Sequence, residues 1–337
     1  MQTRFAQFIL HYPGRLAMPI GVSAGLELAG ISVRSALSDA AAQTRAVLAL
    51  HHRFNTPVLL SAMDLSAEAE TFGCAIRMPE DDVPTVIGRR TVTLEQIAAL
   101  PSPRPGAART AVHLETCRRL AANPDGAPVL GGMIGPFSLA GRIFGVSEAL
   151  EATAADPEPV LLLLEKITPF LIQYAAAFRA AGAAGVIMAE PAAGLLSPRS
   201  LAHYSAPYVR RIVEAVQSED FAVVLHNCGA RLAHLSKMLE SGAGIYHFGA
   251  PMDLVAALAQ VDEHTILCGN LDPAGLFFSG TPAVMRSRVG ELLAGVGPRK
   301  NFVLSSGCDL PPGTPLANLE AFYAATAELR IGELQVA

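Results

Sequence analysis

Tryptophan is absent from the 337-residue sequence, and aromatic residues make up only 6% of it. Charged residues contribute 16%, the formal net charge is −5, and no run of lysines and arginines occurs. Proteins that bind nucleic acids usually combine a basic surface with aromatic side chains on which bases stack. We therefore expect no nucleic-acid partner.

Long apolar runs and a secretory signal are also missing. Hydrophobic residues make up 51% of the chain, yet charged residues, proline or glycine interrupt every run before the roughly 18 residues of a membrane span. The N-terminus has no apolar core followed by a small-residue cleavage site. Five cysteines are an odd number, which argues against a disulfide framework. We expect a cytoplasmic protein with reduced thiols and no membrane partner.

Short apolar runs alternate along the chain with longer segments of helical period. Several of these runs are continuously apolar, which is typical of parallel strands that are covered on both faces. Eight βα units in one chain predict an α/β fold, a (β/α)8 TIM barrel that forms a single domain over residues 1–337. The eight candidate strands are residues 17–21, 57–63, 128–134, 185–189, 222–227, 244–248, 265–269 and 302–306.

Three other features complete the predicted fold. The barrel has an N-terminal helical segment, and residues 29–54 carry a long alanine and leucine pattern of helical period. Residues 76–93 interrupt the alternation and predict a β-hairpin insertion after the second strand. Residues 197–217 predict one helix with Ser197 as the N-cap and Pro198 at its first position. The main alternative is an open doubly wound sheet, but no nucleotide-binding glycine motif follows an early strand.

Polar side chains cluster at the ends of the candidate strands. In a (β/α)8 barrel, the functional residues lie at the carboxyl ends of the strands. The sequence places the following residues there: Asp64, Glu190, His226, Cys228, His247, Asn270, Asp272, Cys308 and Asp309.

The segment "AVVLHNCG" ends the fifth candidate strand in His226 and Cys228. Residues two apart on a strand point to the same side, so both side chains face the barrel mouth if the strand stays extended. Cys308 follows the eighth strand, and His, Cys and Cys would leave one position of a zinc tetrahedron open. Thiolate ligands favour zinc over magnesium or calcium. The alternative is that His226 is a packed histidine and that Cys228 and Cys308 are buried thiols that bind no metal. We interpret Cys268 as a buried thiol of this kind.

The segments "LHNCG" and "FVLSSGCDLPPGTPLANLEAF" resemble the zinc motif of the methylcobalamin:coenzyme M methyltransferases, a branch of the uroporphyrinogen decarboxylase superfamily. The resemblance covers nearly the whole chain. It implies a (β/α)8 barrel, a zinc ion held by His226, Cys228 and Cys308, and transfer of a methyl group from a methylated corrinoid to a small thiol such as coenzyme M. The chain lacks the Asp-x-His-x-x-Gly corrinoid signature, so the resemblance implies methylcobalamin carried by a separate corrinoid protein.

Two alternative functions follow from the same residues. A uroporphyrinogen decarboxylase-like enzyme acting on a tetrapyrrole would need several cations for the substrate carboxylates. The decarboxylases have an arginine-rich segment near the N-terminus. The block "HYPGRLAMPIGVSAG" of this chain, which resembles that segment in position, contains only Arg15. The other alternative is a barrel in which zinc is purely structural.

The remaining polar residues have less specific predictions. Glu190 is a displaceable fourth metal ligand, an acceptor for the His226 imidazole, or a cap for the helix that begins near Ser197. His247 is either a hydrogen-bonded barrel residue or part of the substrate site. The residues predicted to bind substrate are Asp64, His247, Asn270 and Asp272.

Overall fold

A computed structural model describes residues 2–328 of the protein. Residues 1 and 329–337, which the single-domain prediction includes, lie outside the described residues. The strands are β1 Leu59–Leu60, β2 Ala75–Arg77, β3 Thr85–Ile87, β4 Val129–Ile134, β5 Gly185–Ala189, β6 Ala222–Asn227, β7 Ile245–Phe248, β8 Ile266–Leu271 and β9 Phe302–Ser306.

The helices occur singly or in groups between these strands. They are α1 Arg4–Leu10, α2 Ser23–Ala29, α3 Val33–Ser38, α4 Ala40–Phe54, α5 Ala67–Thr71, α6 Leu94–Ala98, α7 Thr110–Ala121, α8 Pro136–Phe144, α9 Val146–Ala155, α10 Glu158–Ala180, α11 Pro198–Tyr204, α12 Ala206–Val216, α13 Leu235–Leu239, α14 Leu254–Leu258, α15 Pro282–Val296 and α16 Leu316–Glu328.

Seven strands form one parallel sheet in the order β1-β4-β5-β6-β7-β8-β9. The order follows the chain because each crossover passes through helices that cover the outer face of the sheet. Every residue of β5 and β6 is buried, as expected for strands packed on both faces. The short strands β2 and β3 form a separate antiparallel pair between β1 and β4 in the sequence.

The first candidate strand, residues 17–21, does not form a strand. Ala17 makes an isolated parallel bridge to Leu304 of β9, and the Met18 amide donates to the Leu304 carbonyl at 2.9 Å. The backbone ladder ends there because the next amide that faces β9, that of Ile20, donates to the Ser306 hydroxyl at 2.9 Å instead of to a backbone carbonyl, and Gly21 adopts a φ of +122°. The described chain therefore has seven strands in its main sheet, and the predicted eighth is reduced to a bridge beside β9.

Two predicted helices are each divided in the structure. The helical pattern of residues 29–54 is interrupted by Gly30, which ends α2 in the left-handed conformation, and by Asp39, whose side chain caps α4. The predicted helix 197–217 breaks at Ser205, because Pro207 in the first turn of α12 cannot donate a backbone hydrogen bond to the preceding turn. Ser197 caps α11 as predicted, accepting from the Ser200 amide at 3.1 Å.

The sheet separates two buried clusters. The outer cluster packs helices against the sheet, and the inner one fills the concave side with residues from all seven strands of the sheet and from α1. Along β6 the inner positions are Ala222 and Val224, so the alternation brings His226 to the same side above them. By length and composition alone, helix α10 could span a membrane. Half of its apolar stretch is buried against the rest of the protein, however, and core helices have the same length and composition.

Candidate metal centre

The structure brings His226, Cys228 and Cys308 together at the carboxyl end of the sheet. His226 lies in β6, Cys228 follows it directly, and Cys308 lies two residues beyond β9. One side-chain nitrogen or sulfur of each residue lies within 4.8 Å of those of the other two. Among residues 2–328, this is the one group of three or more His, Cys, Asp or Glu side chains close enough to share a metal ion.

A chain of hydrogen bonds determines which nitrogen of His226 faces the thiols. Ser305 donates its hydroxyl to the Met18 carbonyl, which can only accept. The Ser305 oxygen therefore accepts from Nε2 of His247 at 2.7 Å. Nδ1 of His247 is then unprotonated and accepts from Nδ1 of His226 at 2.9 Å. It follows that the neutral His226 ring carries its lone pair on Nε2, the form that binds metals.

The burial of His247 supports this assignment. Its side chain is fully buried, and burial together with the neighbouring His226 ring lowers the pKa of His247 well below its ordinary value of 6.5. The ring is therefore neutral at physiological pH and has one protonated nitrogen, as the hydrogen-bond chain requires.

The two thiols of the centre share a proton. A hydrogen bond from Cys308 lowers the pKa of Cys228 to about 7, although burial opposes this. The same hydrogen bond, with burial, raises the pKa of Cys308 to about 12. Cys228 is thus about half ionised at pH 7 while Cys308 keeps its proton, and a cation that displaced the thiol protons would meet two thiolates.

A cavity of about 230 Å³ opens onto all three residues. Most of its wall is apolar and comes from the segments before and within α2 and α3, and from the loop after β1. The loop between β2 and β3 contributes Val83 and Pro84. The cavity can hold a small organic molecule next to the two sulfur atoms.

Asp309 and Arg142 also line the cavity. The sequence alone predicts no specific role for either residue. Asp309 is in direct van der Waals contact with Gly21, where a Cβ atom would lie 2.2 Å from Oδ1 of Asp309. Burial, together with the charge of Cys308, raises the pKa of Asp309 well above its ordinary value, although a hydrogen bond from the Leu310 amide opposes this. The sequence signal for Asp309 was its position beside Cys308; Arg142 stands in the apolar segment "GPFSLAGRIF" without a motif.

Glu190 is not one of the side chains that lie close enough together to share a metal ion, and its carboxylate is bound elsewhere. Its buried carboxylate accepts from the amides of Phe137 and Ser138 at 2.8 and 2.9 Å, and from the hydroxyls of Ser138 and Ser205 at 2.7 and 3.3 Å. These amides are at the N-terminus of α8. Glu190 therefore caps a helix, as one of its predicted roles suggested, but the helix is α8 and not the one that begins near Ser197.

The approach of Glu190 to α8 depends on Gly135. A Cβ atom at Gly135 would lie 2.2 Å from Cγ of Glu190, so a larger residue would displace the carboxylate. Burial raises the pKa of Glu190, while the hydrogen bonds from Ser138 and Phe137 lower it. With all these donors directed at it, the carboxylate has no oxygen free to bind His226, which pairs with His247 instead.

Asp64 lines the cavity, as expected of a residue at the end of a strand. It forms an ion pair with Arg109 and accepts from the Ser66 hydroxyl at 2.7 Å. Burial would raise its pKa, but His113, Arg109 and Ser66 together lower it to about 2. Asp64 is therefore ionised, and its charge is compensated within the protein.

The other residues predicted to bind substrate do not line this cavity. His247 is enclosed behind His226. Asn270 donates to the Gly249 and Met252 carbonyls at 3.1 and 2.6 Å, and Asp272 accepts from the Ala274 amide at 3.0 Å. Asn270 and Asp272 border a separate open groove. Strand ends that meet at one edge of a sheet can thus face different grooves, and substrate binding by His247, Asn270 and Asp272 stays a prediction.

Comparison with known proteins shows the family to which the chain belongs. The profile of the uroporphyrinogen decarboxylase (URO-D) family matches residues 13–329. The chain belongs to that family.

The relatives include both branches considered above. The chain is 31% identical over 301 residues to the methylcobamide:CoM methyltransferase MtbA of Methanosarcina mazei, covering 88% of this chain and 86% of that one. It is 31% identical over 260 residues to a uroporphyrinogen decarboxylase of Synechococcus sp., covering 74% and 72%. A solved methyltransferase from Methanosarcina mazei superposes with a TM-score of 0.86 over 97% of this chain and 98% of that one, at 24% identity, and has the same fold. The resemblance to the methyltransferase branch is thus confirmed.

Proposed function

We propose that the protein is a zinc-dependent methyltransferase that moves a methyl group from a corrinoid, carried by a partner protein, to a small thiol such as coenzyme M. The observation that carries this proposal is the group His226, Cys228 and Cys308, open to a cavity and without a fourth protein ligand among residues 2–328. Three ligands with one exchangeable position are typical of catalytic rather than structural zinc sites.

The residues of the chain fit zinc. Nε2 of His226 offers a lone pair because His247 and Ser305 fix its tautomer. The hydrogen bond from Cys308 lowers the pKa of Cys228 to about 7, so one thiol of the pair ionises readily. When bound, zinc would supply a position that holds the acceptor sulfur as a thiolate at neutral pH, where a free thiol is mostly protonated. The cavity keeps the acceptor beside these residues.

The transfer itself needs no further base. On binding, the acceptor thiol would release its proton to solvent, and its sulfur would attack the methyl carbon of the methylated corrinoid. The carbon–sulfur bond would form as the cobalt–carbon bond breaks, and the electron pair of that bond would stay on cobalt, which changes from Co(III) to Co(I). The resemblance implies that this donor reaches the cavity on a separate corrinoid protein.

Two observations disfavour the decarboxylase alternative. The Arg15 guanidinium donates to the carbonyls of Gly297, Arg299 and Phe302 at 2.8, 2.6 and 3.2 Å and does not line the cavity. The cavity has a single lysine or arginine in its wall, Arg142. A substrate with many carboxylates would meet too little positive charge there.

The proposal is tested by incubating the zinc-loaded protein with methylcobalamin and coenzyme M, and following the loss of the methylcobalamin absorbance together with methyl-thioether formation. We expect transfer by the wild type and loss of at least about 100-fold in rate for Cys308→Ala, since a metal ligand is removed. A wild type that transfers no methyl group to any small thiol, but decarboxylates uroporphyrinogen, would overturn the proposal.

A further inference from the structure

The hairpin formed by β2 and β3 closes one side of the cavity. The turn between the two strands contributes Val83 and Pro84 to the cavity wall, and Thr85 of β3 also lines it. Val83 is nevertheless 48% exposed, so it lies at the mouth, between the cavity and solvent. A movement of this hairpin would therefore change the width of the mouth.

The hairpin is weakly attached to the rest of the protein. No residue from 75 to 87 is buried, whereas Cys74 before the hairpin and Thr91 after it are. Segments with few buried apolar contacts have low local stability, and the lids of binding sites belong to this class. Three side chains of the hairpin are partly buried against the outer cluster: Ile76, Met78 and Val86.

Two glycines flank the hairpin and adopt backbone conformations that other residues rarely reach. Gly73 has a φ of +85° and Gly88 a φ of +67°, and both are exposed. Glycine adopts a wide range of conformations with little steric penalty. The backbone can therefore rotate at both ends of the hairpin while the pairing of β2 with β3 stays intact.

Arg34 of α3 holds the hairpin in its present position. Among residues 2–328, every hydrogen bond and ion pair between residues 75–87 and the rest of the chain involves Arg34. Its amide donates to the Glu80 carbonyl at 2.9 Å, and its guanidinium donates to the Met78 carbonyl and pairs with the Glu80 carboxylate at 3.2 Å. Both side chains of this ion pair are more than half exposed, and exposed ion pairs contribute little to stability. Release of the hairpin from Arg34 therefore requires little free energy.

The size of the cavity gives such a movement a function. Pockets that enclose drug-sized ligands have volumes of about 300–1,000 Å³, and the cavity beside Cys228 and Cys308 measures about 230 Å³. A small thiol fits this volume. A corrin ring is larger than a drug-sized ligand, so it cannot enter while the hairpin is in place.

We propose that residues 75–87 form a gate that turns about Gly73 and Gly88, that Arg34 holds the gate closed, and that the gate opens to admit the methylated corrinoid. The role of the gate rests on the proposed function, which makes a corrinoid the methyl donor, whereas its movement rests on the hairpin alone. Arg34 is a positioning residue, because it acts on the hairpin and does not line the cavity. While the gate is closed, Val83 and Pro84 keep water away from the bound thiol.

Hydrogen exchange at the amide of Arg34 measures the opening. Arg34 lies in the first turn of α3, where an amide has no acceptor within the helix, so the Glu80 carbonyl is the acceptor that protects it. Exchange is followed by NMR for the wild type, Arg34→Ala and Arg34→Lys, and is corrected for the intrinsic rate of each sequence. The matched control is Arg45→Ala, which removes the same charge from an exposed position of α4.

We expect the wild-type amide of Arg34 to exchange at least about 100-fold faster than the amides in the middle of α10, a buried helix whose amides open only on unfolding. The amide at this position should exchange at least about 3-fold faster in Arg34→Ala than in the wild type. Arg34→Lys should lie between them, and Arg45→Ala should match the wild type. Equal exchange in the wild type and Arg34→Ala, or wild-type exchange as slow as in α10, would overturn the gate.

A disulfide between positions 34 and 80 tests whether the gate admits the donor. The backbone hydrogen bond between these residues brings their Cα atoms close enough for a disulfide in the double variant Arg34→Cys, Glu80→Cys. Methyl transfer from methylcobalamin to coenzyme M is measured for the zinc-loaded double variant after mild oxidation, and again after reduction with a phosphine. The wild type is taken through the same steps. We expect transfer at least about 10-fold slower in the oxidised than in the reduced double variant, and no difference for the wild type.

An oxidised double variant that transfers the methyl group as fast as the reduced one would overturn the role of the gate. Failure of the proposed function gives a different result, because exchange at the Arg34 amide needs neither a thiol nor a corrinoid. A protein that opens as described but transfers no methyl group in either form would contradict the proposed function and the role of the gate in it, but not the movement of the hairpin.

Discussion

Nδ1 of His226 lies 2.9 Å from Nδ1 of His247, and the two rings meet edge to face with their centroids 4.7 Å apart. The pair joins adjacent strands at the same register, since His226 is opposite His247 in the ladder between β6 and β7. Through Ser305, the bond also connects the candidate metal centre to β9, the strand that precedes Cys308. This chain of hydrogen bonds therefore orients His226, in the middle of the sheet, and connects it to β9, the strand that leads to Cys308.

Replacement of His247 by phenylalanine should weaken zinc binding. The substitution keeps a ring in the buried space but removes the acceptor that holds His226 in its metal-binding tautomer, and loss of such a partner typically costs about 10–100-fold in metal affinity. The affinity is measured by competition with a chromophoric chelator. Tyr246→Phe is the control, because it removes a polar atom from the same strand on the opposite face. Equal affinities for the two variants would contradict the tautomer argument.

Cys308→Ala should bind zinc more than about 100-fold more weakly than the wild type, because it removes a metal ligand. That factor is the upper range for loss of a residue that only hydrogen-bonds to a ligand, as His247 does. Cys268→Ala offers the matched comparison. Cys268 is fully buried in the inner cluster, where burial raises its pKa, and it lies outside the ligand group. Metal analysis after dialysis should find zinc in Cys268→Ala and little in Cys308→Ala, and the reverse pattern would refute the assignment.

Glu190→Ala should destabilise the protein without reducing its zinc content. The variant leaves the Phe137 and Ser138 amides at the start of α8 without a charged acceptor, and hydrogen bonds to charged groups contribute roughly 1.5–3 kcal/mol each. Glu190→Gln keeps one oxygen acceptor and should lose less. Denaturant unfolding gives the stability and metal analysis gives the zinc content. A loss of zinc in a folded Glu190→Gln would restore the displaceable-ligand hypothesis.

Glu68 should make stability depend on pH. Its buried side chain accepts from the Ile134 amide at 2.8 Å, and burial raises its pKa from the ordinary 4.5 to about 8. Between these two pKa values the Glu68 carboxyl is protonated in the folded protein and ionised in the unfolded chain. The contribution of Glu68 to the free energy of unfolding therefore falls as pH rises, by at most about 1.4 kcal/mol per pH unit.

Glu68→Gln removes this titration and retains an oxygen for the Ile134 amide. Urea unfolding at about pH 5 and about pH 8.5 should show a smaller decline in stability for the variant than for the wild type. Parallel curves for the two proteins would mean that Glu68 is ionised in the folded state throughout.

The strands that the sequence predicts best are those that begin with a continuous apolar run and are buried along their whole length. Residues 185–189, 222–227 and 302–306 are strands in the structure with those bounds, because burial on both faces favours apolar residues at consecutive positions. Residues 17–21 carry an equally apolar pattern but form only a bridge. There the Ile20 amide donates to the Ser306 hydroxyl and Gly21 has a positive φ, and apolar periodicity reports neither feature.

The candidate metal ligands were predictable because their positions follow from strand ends. The hydrogen-bond chain behind His226 was not, since it depends on the register of β7 and β9 against β6. The same holds for Arg142, whose access to the cavity depends on how α8 is rotated. Glu190 was expected near the metal because its strand end is adjacent to that of β6, yet the N-terminus of α8 lies closer and offers two amide donors.

X-ray absorption at the zinc edge counts the sulfur atoms around the metal and so shows whether the site has a position open to the acceptor. We expect two sulfurs and one imidazole nitrogen from the protein in the zinc-loaded wild type, and a third sulfur when 2-mercaptoethanesulfonate is added. A sulfur count that stays the same when the thiol is added would mean a closed site with no position for the acceptor, and would refute the proposed zinc-dependent methyl transfer.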